Sequence, residues 1–179
     1  MNITLHRTTL LVCVLAGALA LAIALVAAKD VSAAPSPALA GGATQISGEA
    51  SFDKVPPEDP VCAPVSGYEY ALVMTGDFEG CLYTHVETDV SSPSGTYRET
   101  GEELFVGSYL DESGTFKTTY RFEAKYEDVD ALAGEIFGRC QHPIVEGSGT
   151  GIFEGVSGIL LFKDDVETGT FFYRGHLRY

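Results

Sequence analysis

Residues 115–126 alternate without a break. Phe116, Thr118, Tyr120, Phe122, Ala124 and Tyr126 fall on one side of an extended backbone, with Thr115, Lys117, Thr119, Arg121, Glu123 and Lys125 on the other. A period of two predicts a strand with one buried and one wet face. Residues 170–179 repeat the pattern, Phe171, Tyr173, Leu177 and Tyr179 opposing Arg174, His176 and Arg178. Gly175 falls on the apolar face of that strand, where a bend or a close backbone approach is expected. Similar runs predict strands over 44–52, 68–75, 81–90, 96–106, 135–145 and 159–164. No long segment has helical spacing, and 128–133 predicts a brief helical turn at most. The Ser-Pro-Ser-Gly at 92–95 and the Asp-Glu-Ser-Gly at 111–114 predict hairpin turns. Eight strands in series predict an all-β fold, an eight-stranded antiparallel β-barrel in which closure removes exposed edges. The lumen of such a barrel is filled by side chains or holds one small ligand.

The segment 147–158 carries five glycines, at 147, 149, 151, 155 and 158, directly before an apolar run. The first three permit positive φ and tight turns, and the last two can bracket a turn that returns the chain to the sheet. Ile152 and Phe153 between them are expected to plug or cap one barrel end. A phosphate-binding loop does not fit, because no long helix follows and no Lys-Ser or Lys-Thr pair closes the segment.

The first 33 residues have another character. Arg7 precedes an uncharged, Leu-, Ala- and Val-rich stretch over 8–28, and Val31, Ser32 and Ala33 offer small residues at a cleavage position. Residues 1–33 therefore predict a signal peptide, or an uncleaved membrane anchor, since the apolar stretch exceeds the roughly 7–15 residues of a usual signal core. Residues 34–43 predict a flexible leader and 44–179 the barrel domain. Losing Arg7, Lys29 and Asp30 leaves 9 basic against 24 acidic side chains, a net charge of −15. Such a field argues against nucleic acid or an anionic membrane surface as a partner. Cys62, Cys81 and Cys140 remain, and export favours one disulfide. Three pairings are open; Cys62 with Cys81 closes the shortest loop and is slightly favoured.

Within 81–89, alternation places Cys81, Tyr83, His85, Glu87 and Asp89 on one face. Turned into the lumen, Tyr83, His85 and Glu87 would form a line of proton donors and acceptors; turned out, they are a solvated face. His85, Glu87 and His142 are suitable metal ligands, but no close pair has diagnostic spacing, so no metal and no cofactor is expected. His142, before Pro143, reads as a strand end, and His176 as a surface residue. Tyr97, Glu99, Glu102 and Glu103 read mainly as surface positions and charge, and no G-x-S-x-G elbow is present. Of the 19 Phe and Tyr residues, Tyr120, Phe122, Phe171 and Tyr173 lie on the apolar faces. They predict either a packed core or the wall of a site for a flat or lipid-like molecule.

The run Gly-Thr-Gly-Ile-Phe-Glu-Gly-Val-Ser-Gly at 149–158, the Asp-Asp-Val-Glu-Thr-Gly turn after the following strand and Phe-Tyr-Arg-Gly-His-Leu at 172–177 resemble the C-terminal half of the allene oxide cyclase barrel-like superfamily. That group includes dirigent-like proteins. The Gly-x-Gly-x-Phe-x-Gly-x-x-Gly pattern is a scaffold motif, so the resemblance implies the barrel and a homo-oligomer, a trimer or dimer, more than a reaction. Plant members cyclise an unsaturated fatty-acid epoxide or orient phenoxy radicals for coupling. No position here matches their catalytic residues. Lipocalins and avidins are less similar, since their first strand carries Gly-x-Trp and this chain has no Trp. The leading expectation is a secreted, non-enzymatic barrel that binds a small hydrophobic ligand or serves as an extracellular interaction module. A cyclase or dirigent-like enzyme using Tyr83, His85 and Glu87 is the alternative, and a structural surface protein a third class. An apolar pocket, a pocket with convergent polar groups and a filled lumen would respectively mark the three.

Overall fold

The computed structural model describes residues 42–54 and 58–179. The expected signal segment or anchor, and the leader up to residue 41, lie outside the described residues. Among the described residues nine strands follow in order: β1 (Thr44–Phe52), β2 (Tyr70–Gly76), β3 (Phe78–Ser91), β4 (Thr96–Tyr109), β5 (Glu112–Asp128), β6 (Ala133–Pro143), β7 (Thr150–Gly151), β8 (Ser157–Asp165) and β9 (Thr170–Arg178). Every neighbour pairs antiparallel. The sheet runs from β4 through β3, β2, β1, β9, β8 and β6 to β5, and the β4–β5 pairing closes it into an eight-stranded barrel. Closure through β1 and β9 brings Ile46 opposite Gly175. Gly175 has the expected close approach, since a Cβ there would meet the Ile159 carbonyl oxygen at 2.2 Å.

The alternation on β5 and β9 emerges as a difference in burial. Phe116, Tyr120 and Ala124 are buried while Lys117, Thr119 and Arg121 are exposed, and Tyr173 and Leu177 are buried while Arg174 and Arg178 are exposed. A closed sheet has one inner face, and a period-two pattern aligned with it turns the apolar side of each strand inward at once. Two local expectations are corrected. The residues 129–132 form a hydrogen-bonded turn, Leu132 N–H to Val129 O at 3.4 Å, without a helix. The β4–β5 turn is made by Leu110 and Asp111, both at positive φ (54° and 64°), the backbone of a two-residue hairpin whose twist suits the strands it joins. Gly114, read as part of that turn, lies inside β5 instead. A Cβ there would meet Thr150 O at 2.2 Å and the Phe153 ring at 2.8 Å.

That crowding explains the glycine-rich segment. Its short strand β7 pairs with Gly114 and Thr115, and a turn then sends Phe153 into the barrel end, fully buried. Of the three glycines expected at positive φ, Gly147 and Gly151 take it (75° and 61°). Gly149 instead makes room for the plug, because a Cβ would lie 1.7 Å from the Phe153 carbonyl oxygen. Phe153 packs edge-on against Phe78, Phe105 and Phe116 at centroid distances of 5.7, 5.7 and 4.9 Å. This half of the lumen is filled, and Ile152 packs on its margin.

Outside the barrel, the disulfide joins Cys62 to Cys81 on β3, whereas Cys140 is a free thiol buried within. The Asp53 carboxylate accepts hydrogen bonds from the N–H groups of Val61 and Cys62 at 2.9 and 2.8 Å. The segment before β2 is thereby tied across the outer face of β3. Among the described residues, no helix is long and apolar enough to cross a membrane.

Candidate functional site

The half of the lumen away from Phe153 is open. A cavity of about 240 Å³ lies there, walled by residues of β1–β6, β8 and β9 together with Leu132 of the β5–β6 turn. Its rim is aromatic: Phe52 meets Phe171 and Tyr70 edge-on at 5.3 and 5.5 Å, and Tyr97 meets Phe122 and Tyr126 at 6.2 and 6.4 Å. Tyr120 and Phe162 continue the wall inward. Rings on alternate positions of a closed sheet must converge on its axis, so the apolar faces legible in β5 and β9 become a pocket wall.

Two acidic side chains of β4 reach into this space. Glu99 Oε1 accepts hydrogen bonds from Tyr120 (2.6 Å) and Tyr70 (3.3 Å), and Oε2 from Tyr97 (2.5 Å). Burial, then the neighbouring Glu99 charge, pushes Tyr70 up, and for Tyr97 and Tyr120 burial and the bond to Glu99 act in the same direction. All three phenols therefore remain O–H donors. Four residues further, Glu103 is 2% exposed. Its Oε2 accepts from Thr118 Oγ1 and faces His142 Nδ1, both at 2.6 Å, and Oε1 accepts from Thr84 at 3.4 Å. A carboxylate oxygen can only accept, so the hydrogen lies on Nδ1. His142 Nε2 is left buried with no partner. The imidazole is held between Tyr120, stacked at 6.1 Å, and Phe162 at 4.3 Å. Glu99 and Glu103 thus depart from the surface role expected of them. They share the inward face with Phe105, and partners from β2, β3, β5 and β6, with Tyr97 of their own strand, satisfy them.

A second acidic pair, Glu135 and Asp164, lines the same cavity. Burial first, and then the hydrogen bond to and charge of Glu135, push Asp164 up to about 8. A like charge beside a buried carboxyl disfavours its ionised form, so Asp164 is held towards its neutral form. Burial pushes Tyr126 up to about 12, with Glu135 and Asp164 adding to the shift. An acid whose native value lies above its unfolded one favours the folded state when protonated. That contribution is complete below about pH 4 and is lost as the pH rises through about 8. Asp164→Asn, which cannot ionise, is expected to melt higher than wild type at about pH 9, with the advantage shrinking towards about pH 4. Thermal melts across that range check it, and a pH-independent difference would contradict the assignment.

The residues proposed from the sequence divide across the wall. Tyr120, Phe122 and Phe171 line the cavity, whereas Tyr173 lies beneath it, its hydroxyl accepting from Phe78 N–H (2.9 Å) and donating to Thr75 O (3.1 Å). Tyr83, His85 and Glu87 lie away from the cavity. Leu82 and Thr84 take the inward positions of β3, opposite Phe105 and Glu103. Tyr83 points outward under the disulfide-tied segment, donating to Ala63 O at 2.9 Å. His85 Nδ1 meets Glu69 at 3.1 Å on the outside, and Glu87 is exposed at a bulge between Val86 and Thr88. The bond from Val86 N–H, ahead of His85, holds the Glu69 carboxyl below its usual range. His85 and His142 are thus on opposite sides of the barrel wall and cannot share a ligand. Among the described residues, no group of three or more His, Cys, Asp or Glu is placed to hold a metal ion. Cys140 lines the pocket, but burial, ahead of Glu103 and Asp164, pushes its thiol up and makes it a poor nucleophile.

The fold and cavity define an eight-stranded barrel plugged at one end and open at the other. No family model matches the chain, and no curated protein matches it.

Proposed function

We propose that this chain is an exported barrel whose open lumen binds one small, flat, largely hydrophobic molecule. The observation that carries the reading is the cavity itself, enclosed by aromatic rings at one end of a barrel whose other end is plugged. Concave, mostly apolar sites with a few convergent polar groups are where small ligands bind. The Cys62–Cys81 disulfide supports export, since such bonds persist in oxidising compartments. The motif at 149–158 supports kinship with the allene oxide cyclase-like and dirigent-like barrels, and with it a homo-oligomer.

A second reading, an enzyme that guides cyclisation or another isomerisation, is favoured by one feature: the Glu103–His142 pair, with Nε2 unpartnered at the cavity. In that reading the proton-handling group is His142, oriented by Glu103, in place of the outward-facing Tyr83, His85 and Glu87. Native mass spectrometry of the protein recovered from its producing cells tests both readings. A binder retains a small molecule unchanged, and an isomerase returns an added substrate at the same mass but with altered chromatography. Phe122→Ala is expected to weaken retention by about tenfold through loss of a wall; His85→Ala is expected to leave it unchanged. A protein that is empty, and whose melting temperature no small aromatic compound raises, would remove the lumen as a site.

A further inference from the structure

We propose that the molecule bound in the lumen is a small organic cation, an ammonium group on an aromatic or alicyclic body, with Glu99 as its counter-charge. The inference rests on the lumen-binding reading and adds the charge of the ligand. Four carboxyl groups line the cavity, from Glu99, Glu103, Glu135 and Asp164, and among the described residues no Lys or Arg does. Glu103 is closed off by Thr84, Thr118 and the His142 ring, and burial beside Glu135 holds Asp164 towards its neutral form. Among the described residues, Glu99 has only the neutral hydroxyls of Tyr70, Tyr97 and Tyr120 as side-chain partners. These stabilise the carboxylate by hydrogen bonding but supply no positive charge to it in a half-buried site.

The rest of the wall suits the same ligand. Ring faces attract a cation through their quadrupole, most strongly where water is excluded. Each of the three phenols gives its hydrogen to Glu99 and keeps oxygen lone pairs for an N–H donor. A second and independent feature is His142, whose residue is 3% exposed and whose Nε2 has no partner. It offers one more polar anchor beside Tyr120, suited to a hydroxyl on the body of the ligand, since a hydroxyl both donates and accepts. An anionic ligand such as a fatty carboxylate would be desolvated beside four acidic groups with no cation to meet it. The formal net charge of −14 acts in the same direction at long range, drawing cations towards the protein.

The chain has nine Tyr and no Trp, and Tyr70, Tyr97, Tyr120 and Tyr126 line the cavity, so a change in tyrosine fluorescence follows its occupation. The full chain, recovered from cells that export it, is titrated with 2-phenylethylamine, 2-phenylethanol and 3-phenylpropanoate, which share a ring and differ in charge. The amine is expected to bind at least about tenfold more tightly than the alcohol, and the carboxylate more weakly than either. Glu99→Gln is expected to lower amine affinity by about tenfold and to leave alcohol affinity unchanged, with circular dichroism reporting on its fold. Equal affinities for amine and alcohol, tighter binding of the carboxylate, or a folded Glu99→Gln variant with undiminished amine affinity would overturn the cation while leaving the lumen as a site. Binding of none of the three overturns both. Should the variant fail to fold, the wild-type charge series decides.

Discussion

Glu103→Ala is expected to destabilise the barrel by about 3–5 kcal/mol, the usual cost of removing one partner from a buried ion pair or charged network. The loss is large because the carboxylate serves three groups on three strands: Thr84 on β3, Thr118 on β5 and His142 on β6. All three lie at 3% exposure or less. Without Glu103, His142 has both ring nitrogens buried without a partner, since Nε2 already lacks one. Equilibrium urea unfolding measures the change, and a loss below about 1 kcal/mol would mean that water or relaxation replaces the carboxylate. The double variant Glu103→Leu with His142→Phe is expected to recover part of the loss, because an apolar pair leaves nothing unsatisfied. Since natural domains are stable by about 5–15 kcal/mol, the single substitution alone consumes a large share of the margin.

Phe153→Ala is expected to cost a similar amount, about 3–5 kcal/mol, from lost burial and the void left behind. Phe153 is fully buried, and its neighbours Phe78, Phe105 and Phe116 are fully buried as well, so the end of the barrel has little freedom to collapse into the space. A second effect distinguishes this substitution from an ordinary core truncation: removing the plug opens the closed end of the lumen. Binding of a hydrophobic dye that the wild type excludes is therefore expected alongside the lower unfolding midpoint. Ile152→Ala serves as the control. Ile152 is only partly buried at the margin of the same cluster, and a loss as large as that of Phe153→Ala would show that the segment as a whole, rather than the ring, closes the barrel.

The two substitutions probe parts of the protein that were unequally legible in the sequence. Phe153 was visible because a glycine-rich turn that carries a large ring ahead of an apolar strand has few uses other than capping. The acids were not. On β4, Glu99, Gly101, Glu103 and Phe105 recur every second residue on one face, and extending the alternation back from Phe105 would have pointed both acids inward. Read one at a time, their charge argues for solvent, since buried carboxylates are rare unless paired. The partner that makes Glu103 tolerable, His142, is 39 residues away in the chain, and no local pattern announces it. The side of the wall taken by Tyr83 was open in the sequence. Its outer face is covered by the segment tied to Cys81, so a residue on the outside of the barrel is nearly as buried as one within.

The eight barrel strands, the face of β5 and β9 that goes inside, and the plugged end follow from local pattern alone. Period-two alternation and glycine placement are local properties, and burial on one side of a closed sheet converts them directly into structure. Which polar groups share the lumen depends on how the strands come together. A charged side chain is admitted to the interior when hydrogen-bond partners from other strands arrive with it, and strand register across the closed sheet, rather than any short stretch of chain, brings Glu99 to its tyrosines and Glu103 to His142.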